Sequence, residues 1–191
     1  MSKGIGCAVV VVIVLVILGL ALAGTYNRLV GLSQAVDAQW AQVESVYQRR
    51  ADLIPNLVAT VQGAANFEKS TLEAVTKARN AAVAASTPQA QAQAENMLSG
   101  ALRQLFALSE SYPDLKASTN FLQLQSDLSD LENKIAASRR FLNNAVQEYN
   151  ASIQQFPAVL LAGPLGFTAQ TFFELDEGER AAVNTAPQVK F

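Results

Sequence analysis

Phe121, Leu128, Ile135, Leu142, Tyr149 and Phe156 recur every seven residues. A line of large apolar groups kept up for that long predicts a helix over residues 120–156, about 55 Å long at 1.5 Å per residue. Such a helix must bury its stripe against a partner of comparable length. Beside it runs a second line, Leu124, Leu131, Ser138, Ala145 and Ser152, whose members shrink toward the C-terminus, so a facing backbone can approach more closely there.

The partner is found near the other end of the chain. Leu29, Leu32, Val36, Trp40, Val43 and Tyr47 recur at spacings of three and four, with no proline before Pro55, which predicts a first helix over residues 25–62, about 57 Å long. Its apolar line Val36, Val43, Leu57 has Arg50 where the fourth apolar member belongs, while Trp40, Tyr47, Ile54 and Val61 form the neighbouring line. Pro55 lacks an amide hydrogen and crowds the carbonyl four residues back, so a kink or break is expected near residues 51–54, at about 3 kcal/mol.

Two shorter helices are expected between these rods. Gly63 and Asn66 can end the first helix, and Ser70-Thr71-Leu72-Glu73 reads as a capping box opening a second helix over residues 70–85. Thr87-Pro88 supplies a cap and a first-turn proline for a third, residues 88–111, which stops before Pro113. Half the residues are hydrophobic and only 7% aromatic, which suits packed helices. The expected fold is all-α, an elongated antiparallel four-helix bundle over residues 25–157, up-down-up-down with short connections.

Residues 5–23 hold no charge and are dense in Val, Ile and Leu, long enough for a helix to cross the hydrocarbon core. Residues 1–24 are therefore expected to be an N-terminal segment and transmembrane helix running on into the bundle. Ala21-Leu22-Ala23 has the form of a signal-peptide cleavage site, but the apolar run exceeds most signal cores and its basic region is only Lys3. Cys7 precedes the run, where a lipidated cysteine would follow it. Lys3 and the terminal amine, set against Arg28, favour an N-terminus inside. That makes a single-pass membrane protein whose bundle is expected on the extracytoplasmic side.

After Pro157 comes AVLLAGPLGF and then an acidic segment with Glu174, Asp176, Glu177 and Glu179, so residues 158–191 are expected to be an apolar loop and a loosely structured tail. In an up-down-up-down bundle the fourth helix returns toward the membrane. Leu160, Leu161, Leu165 and Phe167 then either meet the bilayer or another copy, or fold back over the end of the bundle.

Candidate chemistry is sparse. There is no histidine, which removes the commonest general base and the usual zinc ligand, and one cysteine makes no intramolecular disulfide. Fourteen basic residues against 16 acidic ones give no footprint for nucleic acid. Ser70, Thr71 and Glu73 have no base to activate a hydroxyl, and Gly163-Pro164-Leu165-Gly166 lacks the lysine of a phosphate loop. Asp127, Asp130 and Glu132 fall on different helical faces, which disfavours a metal site. No enzyme, metal or cofactor is expected. Arg49, Arg50 and Asp52 beside Pro55 and Asn56 could form a binding site at an opened turn, but a charge in a seam points first to an internal ion pair. The expected partner of Arg50 is Glu132, with Asn133 as a second.

The strings YNRLV from Tyr26, VDAQWAQVESVYQRRADLIPNLV through Val58, LSGAL from Leu98, YPDLKASTNFLQLQSDLSDLENKIAASRRFLNN through Asn144, YNASIQQFP through Pro157 and the closing APQVKF resemble the LemA family. The resemblance covers nearly all the chain after Gly24, apart from the generic Ala/Gln stretch AAVAASTPQAQAQAE. It implies a bacterial protein with one N-terminal membrane helix and an antiparallel helical bundle, and one relative acts in forming magnetosome membranes. The function expected is non-enzymatic: a protein that self-assembles as a homo-oligomer and organises or remodels the bilayer. The alternative is an envelope adaptor that presents its bundle or its tail to another membrane protein.

Overall fold

The computed structural model describes residues 2–63 and 67–173, all helix, turn or irregular chain with no strand among them. Asn66 and the acidic tail from residue 174 onward lie outside the described residues. Six helices follow in order: α1 (Ser2–Gln62), α2 (Lys69–Ala84), α3 (Pro88–Ser109), α4 (Pro113–Lys116), α5 (Thr119–Gln154) and α6 (Ala158–Ala162). The chain divides into two compact units, residues 1–40 with 141–172 and residues 41–140 with 173–191.

α1 does not break at Pro55; it stays helical to Gln62. The proline leaves the carbonyl of Ala51 without its intrahelical donor, and Arg79 Nε of α2 donates to that oxygen at 3.2 Å. A side chain 28 positions away thus replaces the missing backbone bond. Gly63 closes α1, where an added Cβ would lie 3.3 Å from the carbonyl oxygen of Thr60. α2 opens one residue earlier than the capping-box reading has it. Glu68 holds the N-cap position without a side-chain bond to the helix, and Ser70 donates its hydroxyl to the Glu68 carboxylate at 2.6 Å instead of capping. Thr87 Oγ1 accepts from the amide of Ala90 at 3.2 Å, with Pro88 in the first turn of α3.

In the unit of residues 41–140, Ile54, Leu57 and Val61 of α1 join Leu72 and Val75 of α2, Leu98, Leu102 and Leu105 of α3, Leu115 of α4, and Phe121 and Leu128 of α5 in one buried cluster. Phe106 meets Phe121 edge-on with ring centroids 6.0 Å apart. In the other unit Leu29 and Val36 are buried, as are Leu142, Val146, Tyr149 and Ile153. Of the small members of the second line on α5, Ser138 in one unit and Ser152 in the other are buried, and Ala145 is half-buried. The seven-residue line itself holds from Phe121 to Tyr149 and then fails. α5 ends at Gln154, so Phe156 lies past the helix and is 80% exposed.

Every residue from Val9 to Leu18 is exposed. A continuous apolar surface of that length on a helix is what a bilayer covers, and α1 carries a stretch long and apolar enough to cross one. The stretch after Pro157 is more ordered than the loop expected from sequence. α6 is followed by a turn at Gly166, whose φ of 81° is the left-handed geometry glycine adopts freely.

Candidate functional site

The seam that contains Arg50 is buried throughout: Val36, Val43 and Leu57 are 6% exposed or less, and Arg50 is 2% exposed. A guanidinium cannot shed its proton, so it must be met by acceptors. Two carboxylates meet it. Nη2 lies 3.0 Å from Glu132 Oε2 of α5, and Nη1 lies 3.4 Å from Glu95 Oε2 of α3. Nη2 also donates to Ser99 Oγ at 2.8 Å, and Ser99 donates to Glu132 Oε1 at 3.4 Å. One cation thereby ties three helices of this unit together.

The two carboxylates differ in setting. The Glu132 side chain is 51% exposed, so water screens its share of the attraction. That of Glu95 is 4% exposed. Burial pushes the Glu95 carboxyl up to about 7, with Arg50 opposing the shift and Glu132 adding to it. Asn133, the other expected partner, is exposed. Its place beside the guanidinium is taken by Glu95, which the sequence reading did not single out.

Tyr47, one turn before Arg50, is 2% exposed, and its hydroxyl is a buried polar atom without a hydrogen-bond partner among the described residues, as is Arg50 Nε. Burial raises the ionisation of this phenol well above the ordinary range, with Arg139 the largest opposing influence. Its ring is 6.5 Å from that of Phe173, over which the Arg139 guanidinium sits at 4.6 Å. Beside the cluster is an open cleft of about 410 Å³, whose polar lining includes Glu44, Ser45, Gln48, Gln91 and Glu95.

The remaining candidates disperse. Arg49, Asp52 and Asn56 are exposed, and Asp52 accepts from Gln48 at 2.9 Å. The carbonyl opened by Pro55 accepts from Arg79 instead. Asp127 accepts from Gln123 at 2.9 Å, and no metal-holding group of carboxylates, cysteines or histidines occurs among the described residues. Of the apolar residues after Pro157, Leu160 and Leu165 are exposed, whereas Leu161 and Phe167 are half-buried, with Phe167 edge-on to Tyr26 at 5.9 Å.

The Glu95 carboxyl carries a pH signature. Its folded pKa near 7 exceeds the ordinary 4.5, so between those values the folded chain binds the proton that the unfolded chain has released. Stability from this group is fully present below about pH 4.5 and is lost as pH rises through about 7. The slope is at most about 1.4 kcal/mol per pH unit. Glu95→Gln removes that slope. In denaturation midpoints from pH 5 to 8, its stability relative to the parent should rise with pH; parallel profiles would refute the assignment.

An all-helical chain with an apolar, exposed N-terminal helix, and with its buried charges spent on holding helices together, is a membrane-associated helical protein. The comparisons narrow this class. The chain belongs to the LemA family, which it matches over residues 39–191. It is 28% identical to Protein LemA of Metamycoplasma hominis over 167 residues, covering 85% of this chain and 75% of that protein. It is 25% identical to Magnetosome protein MamQ 2 of Paramagnetospirillum magneticum over 175 residues, and to Magnetosome protein MamQ of Magnetospirillum gryphiswaldense over 174. Each of these two matches covers 78% of this chain and 64% of the relative, so the chain spans somewhat under two thirds of the magnetosome proteins' length.

Proposed function

We propose that this chain is a non-enzymatic, single-pass protein of the bacterial inner membrane that assembles with copies of itself and organises the bilayer, its helical body on the extracytoplasmic side. The observation that carries this reading is the continuity of α1. One unbroken helix, Ser2–Gln62, bears both the apolar stretch and the buried stripe of the body, so the proposed membrane segment and the body share one element. The names of the magnetosome relatives support a role at a membrane. The ion cluster fits the same reading as a lock between helices: both terminal nitrogens of its cation are taken up by carboxylates and a hydroxyl.

The partners proposed are lipid and further copies of the chain. Light scattering on the detergent-extracted protein across a concentration series, followed by imaging in lipid, tests this. Concentration-dependent oligomers and altered membrane shape are expected. A monodisperse monomer at all concentrations would overturn self-assembly, and loss of a bound envelope protein on deleting residues 187–191 would favour the adaptor instead.

A further inference from the structure

We propose that residues 156–165 form a second membrane contact, a short foot lying in the headgroup and upper acyl region of the bilayer beside the point where α1 leaves it. The proposal rests on the reading that α1 crosses that bilayer. Its starting observation is an inverted surface. In and around α6 the small residues Ala158 and Ala162 face inward, whereas four large apolar ones face out and Leu161 is half-buried: Phe156 is 80% exposed, Leu160 66%, Val159 49% and Leu165 47%. A water-facing helix end does the reverse.

Position selects lipid as the covering phase. Tyr26 follows the last residue of the apolar run, Ala23, by three positions, about 4.5 Å along the helix axis. Phe167 packs edge-on against Tyr26 at 5.9 Å, and Arg28 Nη2 reaches Ser152 Oγ at 3.5 Å. These contacts hold the end of α5 and the chain after α6 against the first turn of α1 beyond its apolar run, at the depth where tyrosines and other amphipathic rings settle. The segment is also closed on itself. Asn150 Nδ2 donates to the Gln170 carbonyl and the Gln170 amide donates to Asn150 Oδ1, both at 2.8 Å. Between these ends the amides of Leu165 and Phe167 donate to the carbonyls of Leu161 and Ala162 at 3.0 and 2.8 Å, so several backbone groups enter the interface already paired.

Charge agrees with position. No charged residue occurs between Glu148 and Glu174, a run of 25 residues that carries the whole foot. Immersing it therefore desolvates no ion, and each large apolar side chain transferred from water adds to binding. At five residues α6 is too short to cross the bilayer, so the foot lies along the surface.

The test uses the full chain in phosphatidylcholine and phosphatidylglycerol liposomes, with Cys7 replaced by Ser so that a polarity-sensitive fluorophore marks one introduced cysteine. Leu160→Cys probes the foot, with Val159→Cys as its replicate, and Ile13→Cys probes the spanning helix. Expected are a blue-shifted Leu160 probe quenched more by lipids brominated near the headgroup than near the chain end, and the opposite preference at Ile13. Quenching of the Leu160 probe by aqueous iodide, with Ile13 still quenched by lipid, overturns the foot and leaves the spanning helix standing. A Leu160 probe shielded from both iodide and bromine also overturns it, the cover then being a second copy. Absence of lipid quenching at both sites overturns the spanning reading and the foot with it.

Discussion

Arg50→Ala should lower stability by about 3 to 5 kcal/mol, because it strips a buried carboxylate of its counter-charge while also removing a long packed stem. For a chain of this size that is a fall in melting temperature on the order of 10 °C. The two partners do not share the loss equally. Glu132, with half its side chain in water, is rehydrated where it stands, whereas Glu95 has no such recourse. Losing Arg50 removes the influence that opposes burial, so the Glu95 carboxyl rises beyond about 7 and takes up a proton in neutral buffer. The deficit of Arg50→Ala should accordingly shrink as pH falls toward 5.5. Adding Glu95→Gln to Arg50→Met should recover much of the stability, since no charge is then left inside, and Glu132→Gln in place of Glu95→Gln should recover little. Thermal melts followed by circular dichroism at pH 5.5 and 8 decide it. An Arg50→Ala protein that melts with the parent at both pH values would mean that the cluster holds nothing together.

How far this cluster can be read from sequence follows from the same residues. Arg50 is legible because it interrupts a line of apolar residues spaced by seven, and Glu132 because it flanks the apolar lines of the longest soluble-domain pattern. Glu95 was missed because it sits at the end of a generic Ala/Gln run. The available signal was its place at the head of Glu95, Leu98, Leu102, Leu105, spacings of three and four that put a carboxylate on the buried stripe of α3. Arg79 offered no such signal. Its role comes from the approach of α2 to the one carbonyl that Pro55 leaves open, a relation between elements 28 residues apart that no local pattern encodes. The placement of Phe173 against Tyr47, from beyond the end of α5, is equally a matter of where the chain returns.

Phe121 and Phe156 make the sharpest comparison, because periodicity treats them as equals and their surroundings do not. Both belong to the same seven-residue line. Phe121 is 2% exposed, packed on Phe106 and part of the cluster drawn from five helices. Phe121→Ala should therefore cost about 3 to 5 kcal/mol, the transfer energy of the ring plus the cavity it leaves. Phe156 stands two residues beyond the end of α5, where the helical phase that put Phe121, Leu128, Ile135, Leu142 and Tyr149 on one face no longer applies. Phe156→Ala should change the melting midpoint in detergent by no more than about 0.5 kcal/mol, as surface substitutions do. In liposomes the same change should weaken the membrane contact of the neighbouring segment, read as a smaller blue shift of a probe at position 160. The apolar line thus meets the protein interior up to Tyr149 and leaves it at Phe156, where the proposed foot would carry the ring into lipid. A Phe156→Ala variant as unstable in detergent as Phe121→Ala would place this ring in a protein core and take away the reason for assigning it to lipid.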